Sequence, residues 1–312
     1  MSAYRIDHET RYVYESTVVT SQHVAWLEPR QVSYQVNRTY ELVIDPAPLR
    51  VIRRVDYFGN IVHHFELLRP HHELRVSSRG VVEVQARATR VAPGASPAWE
   101  QARDARRHPS GEVARDVAQF VFESPQVATT LDISTFARAS FSNGRPVLEA
   151  AIALMHRIHE EFTFDTTATN PATPVSKVLA DRRGVCQDFA HFQIACLRSL
   201  GLAARYVSGY LLTDPPPGQP RLIGADASHA WLSVYCPAHG WVDLDPTNDV
   251  IVERRHVTIA WGRDYGDVTP LRGVLLGGDD HQLFVGVSVV PIEDAVAAAS
   301  AVRTAKTPAD GP

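Results

Sequence analysis

The sequence predicts an α+β protein whose first part is rich in β-strands and whose second part mixes helices with strands. Two patterns carry that expectation. Up to about residue 90, apolar residues alternate in period two within short runs separated by turn residues. From Pro146 onward they recur at spacings of three and four, as on the buried face of a helix, before strand-like runs return. The composition agrees. Of 312 residues, 45% are hydrophobic and 21% charged, which suits a globular chain with a sizeable core. A formal net charge of −4 gives no electrostatic case for nucleic acid, and no basic run resembles a membrane-surface patch.

The first run places Tyr4, Ile6 and His8 on one face, followed by Tyr12 and Tyr14. Further β-like runs are Val32–Val36, Tyr40–Ile44, Val51–Val55, Ile61–Phe65, Leu74–Val76 and Val81–Val84. Asp45-Pro46-Ala47-Pro48 and Asp56-Tyr57-Phe58-Gly59-Asn60 supply turn residues between them. Short β-rich runs of this kind suggest an antiparallel β-sandwich. A connector rich in Pro, Ala and Arg covers residues 91–111. The expected division is a β-rich N-terminal domain with its connector over residues 1–125, a core over 126–294 and a flexible tail over 295–312, with Asp214–Gly218 an exposed loop.

In the second part, Leu148, Ile152, Met155, Ile158, His159 and Phe162 mark one helix face, with Pro146 in the first turn. Val175–Ala180 reads as a short helix. Cys186 opens a third helix that Gly201 ends. Strand-like runs follow at 205–212, 230–235, 240–244 and 283–290.

The segment Arg183-Gly184-Val185-Cys186-Gln187-Asp188 carries the chemistry. A thiol at a helix start sits among unpaired backbone N–H groups, at the positive end of the helix dipole. Both favour the thiolate, which is the nucleophilic form, and the same N–H groups can hold an oxyanion. His229, in Ser228-His229-Ala230-Trp231, is the candidate base. Asp245 and Asp243 are rival carboxylates to orient it, since both lie on one strand face by period. Cys196 and Cys236 read as buried apolar residues. Gln187 is a candidate oxyanion donor, with the Cys186 N–H the safer one; Asp188 suits the dipole. Trp231 and Trp241 are candidate walls, although core packing serves them equally well. His63-His64 and His71-His72-Glu73 invite a metal reading, but neighbours on a strand point to opposite faces, so exposed histidines and no metal are expected. A thiol–imidazole mechanism requires no cofactor.

At these residues the chain resembles the bacterial branch of the transglutaminase-like superfamily, whose members are often labelled cysteine proteases. The resemblance rests on Gly184–His191, Leu200–Tyr210, Ser228–Trp231, Gly240–Asn248 and Asp264–Gly273, and covers residues 145–290 closely. Residues 1–90 resemble, less specifically, the β domain that often precedes this core. The resemblance implies a papain-like core, with the cysteine helix packed on an antiparallel sheet that carries His and Asp. It also implies that the aspartate of the Asp-Pro-Thr element, Asp245, completes a triad with Cys186 and His229.

The expected function is a cysteine-dependent amide hydrolase, a peptidase or amidase working through a thioester acyl-enzyme. The rival readings are a transglutaminase, in which an amine replaces water, and an inactive binding module. The substrate would be a peptide, a protein or a small amide. The three cysteines are not spaced as a disulfide framework, the N-terminus is too polar for a signal peptide and no apolar stretch approaches a membrane span. A cytoplasmic protein is therefore expected.

Overall fold

The computed structural model describes residues 2–87, 92–105, 116–214 and 228–292; the expected tail and most of the proline loop after Asp214 lie outside them. The spine of the N-terminal part is β1, Ser2–Ala25, a strand of 24 residues. It is followed by β2 (Gln35–Asp45), β3 (Val51–Val55), β4 (Ile61–Leu67) and β5 (His71–Val84). These five form one antiparallel path in the order β2-β5-β1-β4-β3. The expected two-sheet sandwich is replaced by a single curled sheet. β1 is long enough to serve β5 along its first half and β4 along its second. Its register shifts against β5 between Val13 and Val18 and, against the later strand Leu271–Gly277, between Val18 and Thr20, and the inward face changes parity at the second of these. Tyr4, Ile6, His8, Tyr14 and Val18 are buried up to that point; Ser21, His23 and Ala25 are buried beyond it. The curl encloses a small core of Tyr14, Val18, Leu27, Phe65, Leu74, Val76 and Leu271.

The helices are α1 (Trp99–Asp104), α2 (Leu131–Arg138), α3 (Val147–Glu161), α4 (Val175–Asp181) and α5 (Cys186–Ser199). Helix α3 starts directly after Pro146, as the sequence predicts. Its inward face runs through Leu148, Ala151, Leu154, Met155 and Ile158, while His159 of the expected face is exposed. Helix α5 is buried along nearly its whole length and ends at Gly201, whose φ of 80° suits glycine. Two short strands, β6 (Thr163–Phe164) and β7 (Arg183–Gly184), pair in parallel just ahead of α5.

The second sheet contains β8 (Ala204–Leu211), β9 (Ser228–Cys236), β10 (Gly240–Asp245), β11 (Val250–Ile251) and β12 (His256–Gly262), in the order β11-β10-β9-β8-β12. Helix α5 lies against β8 and β9 and shares with them the main apolar core. The last strands, β13 (Leu271–Gly277) and β14 (His281–Pro291), leave this sheet and pair with β1. The strand expected at 283–290 therefore belongs to the N-terminal sheet, and β12 occupies the edge of the core sheet. Side chains finish that edge. Gln35 donates to Thr258 O at 2.7 Å and accepts from Thr258 N at 2.8 Å. Asn60 does the same for Trp261, at 2.8 and 2.9 Å. Both amides are fully buried, so each acts as a short substitute strand. Among the described residues, no helix is long and apolar enough to cross a membrane.

Candidate active site

Cys186 is the first residue of α5 and is only partly buried, whereas Cys196 and Cys236 are fully buried. Asp188 builds the helix start. Its Oδ2 accepts the Val185 N–H at 2.8 Å and the Thr169 hydroxyl at 2.6 Å. This satisfies one of the free backbone donors and fixes the chain as it enters the helix. Gly184 leaves room for it: a Cβ there would lie 2.7 Å from Asp188 Oδ2 and 2.8 Å from its Cβ. Burial raises the Asp188 pKa above its ordinary value, against the hydrogen bonds from Thr169 and Val185.

His229 stands at the start of β9 and Asp245 at the end of β10. The Cys186 thiol acts on the His229 ring as a neighbour that raises its pKa, and His229 Nε2 donates to Asp245 Oδ2 at 2.7 Å. Strand register explains why Asp245 is the carboxylate that reaches it. Asp243 lies opposite Ser233, further along β9. There it takes hydrogen bonds from the Ser233 hydroxyl, from Trp231 Nε1 at 3.2 Å and from the Arg87 guanidinium. Asp245 lies one pair beyond Leu244–Leu232, at the end of the strand where His229 sits.

The Asp245 carboxylate is fully buried and crowded with donors. Oδ1 accepts the backbone N–H groups of Thr247 at 3.0 Å and Asn248 at 3.3 Å. Oδ2 also accepts Asn248 Nδ2 at 2.7 Å and His256 Nε2 at 2.9 Å. Burial opposes the charge on Asp245, but the two imidazoles outweigh it and hold its pKa well below the usual range. Burial likewise opposes a charged His229. The hydrogen bonds and charges of Asp245 and Cys186 prevail, and its pKa is raised to about 10. His256 moves the other way: burial lowers it more than Asp245 raises it.

The structure thus brings Cys186, His229 and Asp245 together, and separates the other candidates from them. Gln187 donates Nε2–H to Pro171 O at 3.1 Å, so its amide ties the preceding loop to the helix start. Trp231 is fully buried, with its ring 6.1 Å from His229 and 5.1 Å from His256; it is packing beneath the imidazoles, not the wall of an open cleft. Trp241 lies at the opposite end of β10 from Asp245, against Phe120, Tyr235 and Arg205. A six-residue strand separates its ends too far for it to line the site.

His256 went unnoticed in the sequence because fourteen histidines dilute any one of them and β12 was not read as a strand. Its imidazole completes a group with His229 and Asp245 whose donor atoms lie within 4.8 Å of one another. The N···O separations of 2.7 and 2.9 Å are those of shared protons, so these groups already satisfy one another without a cation. In the other histidine pairs His72 is exposed as expected and His64 is half-buried, while His63 and His71 depart from the expectation. His63 is buried 3.4 Å from Glu28 and stacked on Tyr40; His71 is buried and bonded to Arg69 O.

Comparison with known proteins follows the same division of the chain. Residues 134–246 match the family model of the transglutaminase-like superfamily, and residues 4–83 match that of the bacterial transglutaminase-like N-terminal region. An uncharacterized protein of Mycobacterium tuberculosis is 40% identical over 298 residues, covering 93% of each chain. A Pseudomonas aeruginosa protein-glutamine gamma-glutamyltransferase is 34% identical over 118 residues, covering 36% of this chain and 17% of its own. The crystal structure of a "putative cysteine protease" from Cytophaga hutchinsonii superposes with a TM-score of 0.71 at 18% identity, covering 93% of this chain and 91% of that one. That likeness shows the shared fold.

Proposed function

This chain belongs to the transglutaminase-like superfamily, and from that premise we propose that it cleaves amides through a thioester at Cys186. One observation carries the reading: a partly accessible thiol at a buried helix start acts on an imidazole held by a buried carboxylate. Cys186 Sγ attacks the amide carbonyl, and the oxyanion is held by the Cys186 backbone N–H at the helix start. His229 gives its proton to the leaving nitrogen as the C–N bond breaks. Neutral His229 then takes a proton from water, whose oxygen attacks the thioester; the C–S bond breaks and the acid departs. Asp245 fixes the tautomer and orientation of His229 throughout. The substrate class is a peptide, a protein or a small amide. Three unpaired thiols fit a reducing, cytoplasmic setting.

The second reading keeps the acyl-enzyme and replaces water by an amine. The local likeness to a protein-glutamine gamma-glutamyltransferase favours it. One experiment addresses both: incubation with a peptide library, with and without a fluorescent primary amine, and mass analysis of the products. New acids formed by the wild type and not by Cys186→Ala mark hydrolysis. Amine adducts with the same dependence mark transfer. Neither product, from a protein whose Cys186 is freely alkylated, would sink the enzymatic reading in favour of a binding module.

A further inference from the structure

We infer that His256 is a positioning residue for this site: its Nε2–H pins the Asp245 carboxylate at the angle that receives His229. The inference rests on the reading of Cys186 and His229 as nucleophile and base. An ionised carboxylate only accepts hydrogen bonds, so the 2.9 Å contact to Asp245 Oδ2 makes His256 Nε2 the protonated nitrogen. In the neutral ring Nδ1 then carries no proton, and it is buried without a hydrogen-bond partner among the described residues. An apolar residue would leave no such orphan, and the buried Nδ1 is tolerated at a cost. What the imidazole contributes is one directed N–H.

The surroundings keep His256 out of proton exchange. It faces Asp245 from β10, and His229 and Trp231 from β9. Arg87 donates Nη2–H to the His256 carbonyl at 3.4 Å and opposes a positive charge on its ring, as does His229. Two imidazoles therefore share one carboxylate oxygen with different tasks. His229 exchanges a proton with Cys186, and His256 remains a neutral donor. Without it, Oδ2 keeps Asn248, which lies three residues further along the same chain segment, while the donor from the opposite edge of the sheet is lost.

The test is the pH dependence of Cys186 alkylation by iodoacetamide, site-resolved by mass spectrometry, in the wild type and in His256→Leu, His256→Gln and His229→Ala. Wild-type Cys186 is expected to react fast at pH 6, and His229→Ala slowly. His256→Leu should lose about tenfold at pH 6 and less than about twofold at pH 9, above the ordinary pKa of a free thiol. His256→Gln, which restores an N–H, should stay within about threefold of wild type at both. Equal loss in His256→Leu at pH 6 and 9, no loss at pH 6, or a Gln variant as poor as Leu overturns the role. Equal labelling of wild type and His229→Ala at pH 6 overturns the base assignment itself and this inference with it. Should His256→Leu fail to fold, nitrogen-15 NMR of histidine in the wild type decides. His256 is expected as the neutral Nε2–H tautomer at pH 7; an Nδ1–H or cationic ring there overturns the proposal.

Discussion

At the scale of single residues, the site is a chain of proton positions, and each link has its own expected failure. Cys186→Ala should abolish turnover and leave the circular dichroism spectrum unchanged, because the thiol makes no structural bond that a methyl group cannot forgo. Asp245→Asn should lower kcat/KM on the order of a thousandfold by presenting an N–H where the imidazole needs an acceptor. Asp243→Asn should cost less than about tenfold in kcat/KM, since Asp243 serves Ser233, Trp231 and Arg87; the reverse ranking, measured on one substrate, would falsify the assignment. His229 has its pKa raised to about 10, against burial, by Asp245 and Cys186. A raised histidine pKa means stability that is fully present below the ordinary 6.5 and lost as pH rises through about 10. In the proposed reaction the same proton serves the leaving amine. Amide cleavage should therefore fall through about pH 10, and in a pH–rate profile that limb should move down in Asp245→Asn. The sequence singled out Cys186 and His229 by their local settings, but strand position left Asp243 and Asp245 equivalent, and only the family resemblance preferred Asp245. The register of β10 on β9 separates them, and register depends on pairing partners that no local pattern reveals.

At the scale of elements, the start of α5 is the most constrained point in the chain. Asp188 holds Val185 and Thr169, and Gly184 makes room for its carboxylate. Gly184→Ala forces a Cβ to within 2.7 Å of Asp188 Oδ2, so it should destabilise the protein by about 1–3 kcal/mol and slow Cys186 alkylation. Urea unfolding and alkylation rates check the two effects separately; a variant as stable and reactive as wild type would mean that the helix start tolerates displacement. Helices α3, α4 and α5 were readable because each has a periodic apolar face and a Pro or Gly boundary. The N-terminal strands were readable as strands and misread as a sandwich. Alternation identifies a strand's faces, yet it cannot say that one strand of 24 residues will take different partners along its two halves.

At the scale of the whole molecule, the two sheets are joined by chain return and by side-chain amides. β13 and β14 carry the end of the described chain back to β1, and Gln35 and Asn60 complete the buried outer edge of β12. Gln35→Ala leaves the Thr258 N–H and C=O buried without that partner, and should cost about 2 kcal/mol of global stability in urea. A loss confined to the N-terminal sheet, seen as a separate early transition, would show that the sheets unfold independently. Acid stability belongs to this scale as well. Burial lowers His8, His23 and His191 to about 4. A histidine lowered on folding binds its proton more tightly in the unfolded chain. Stability should thus be complete above 6.5 and fall as pH drops towards 4, with the lowered Asp245 adding to the loss at still lower pH. Urea midpoints at pH 7, 5.5 and 4.5 test this, and an unchanged midpoint would refute it.

The amino-acid order alone was enough for the α+β class, the nucleophile helix, the candidate thiol and base, and the resemblance that singled out Asp245. Those features are written in short windows, as periodicity, caps and residue type, and local physics reads short windows. Only the tertiary structure decided the curled single sheet, the return of β13 and β14 to β1, the displacement of Trp241 from the site and the presence of His256 on Asp245. Each of these depends on which strands pair and in what register, a free energy spread over contacts between residues far apart in the chain.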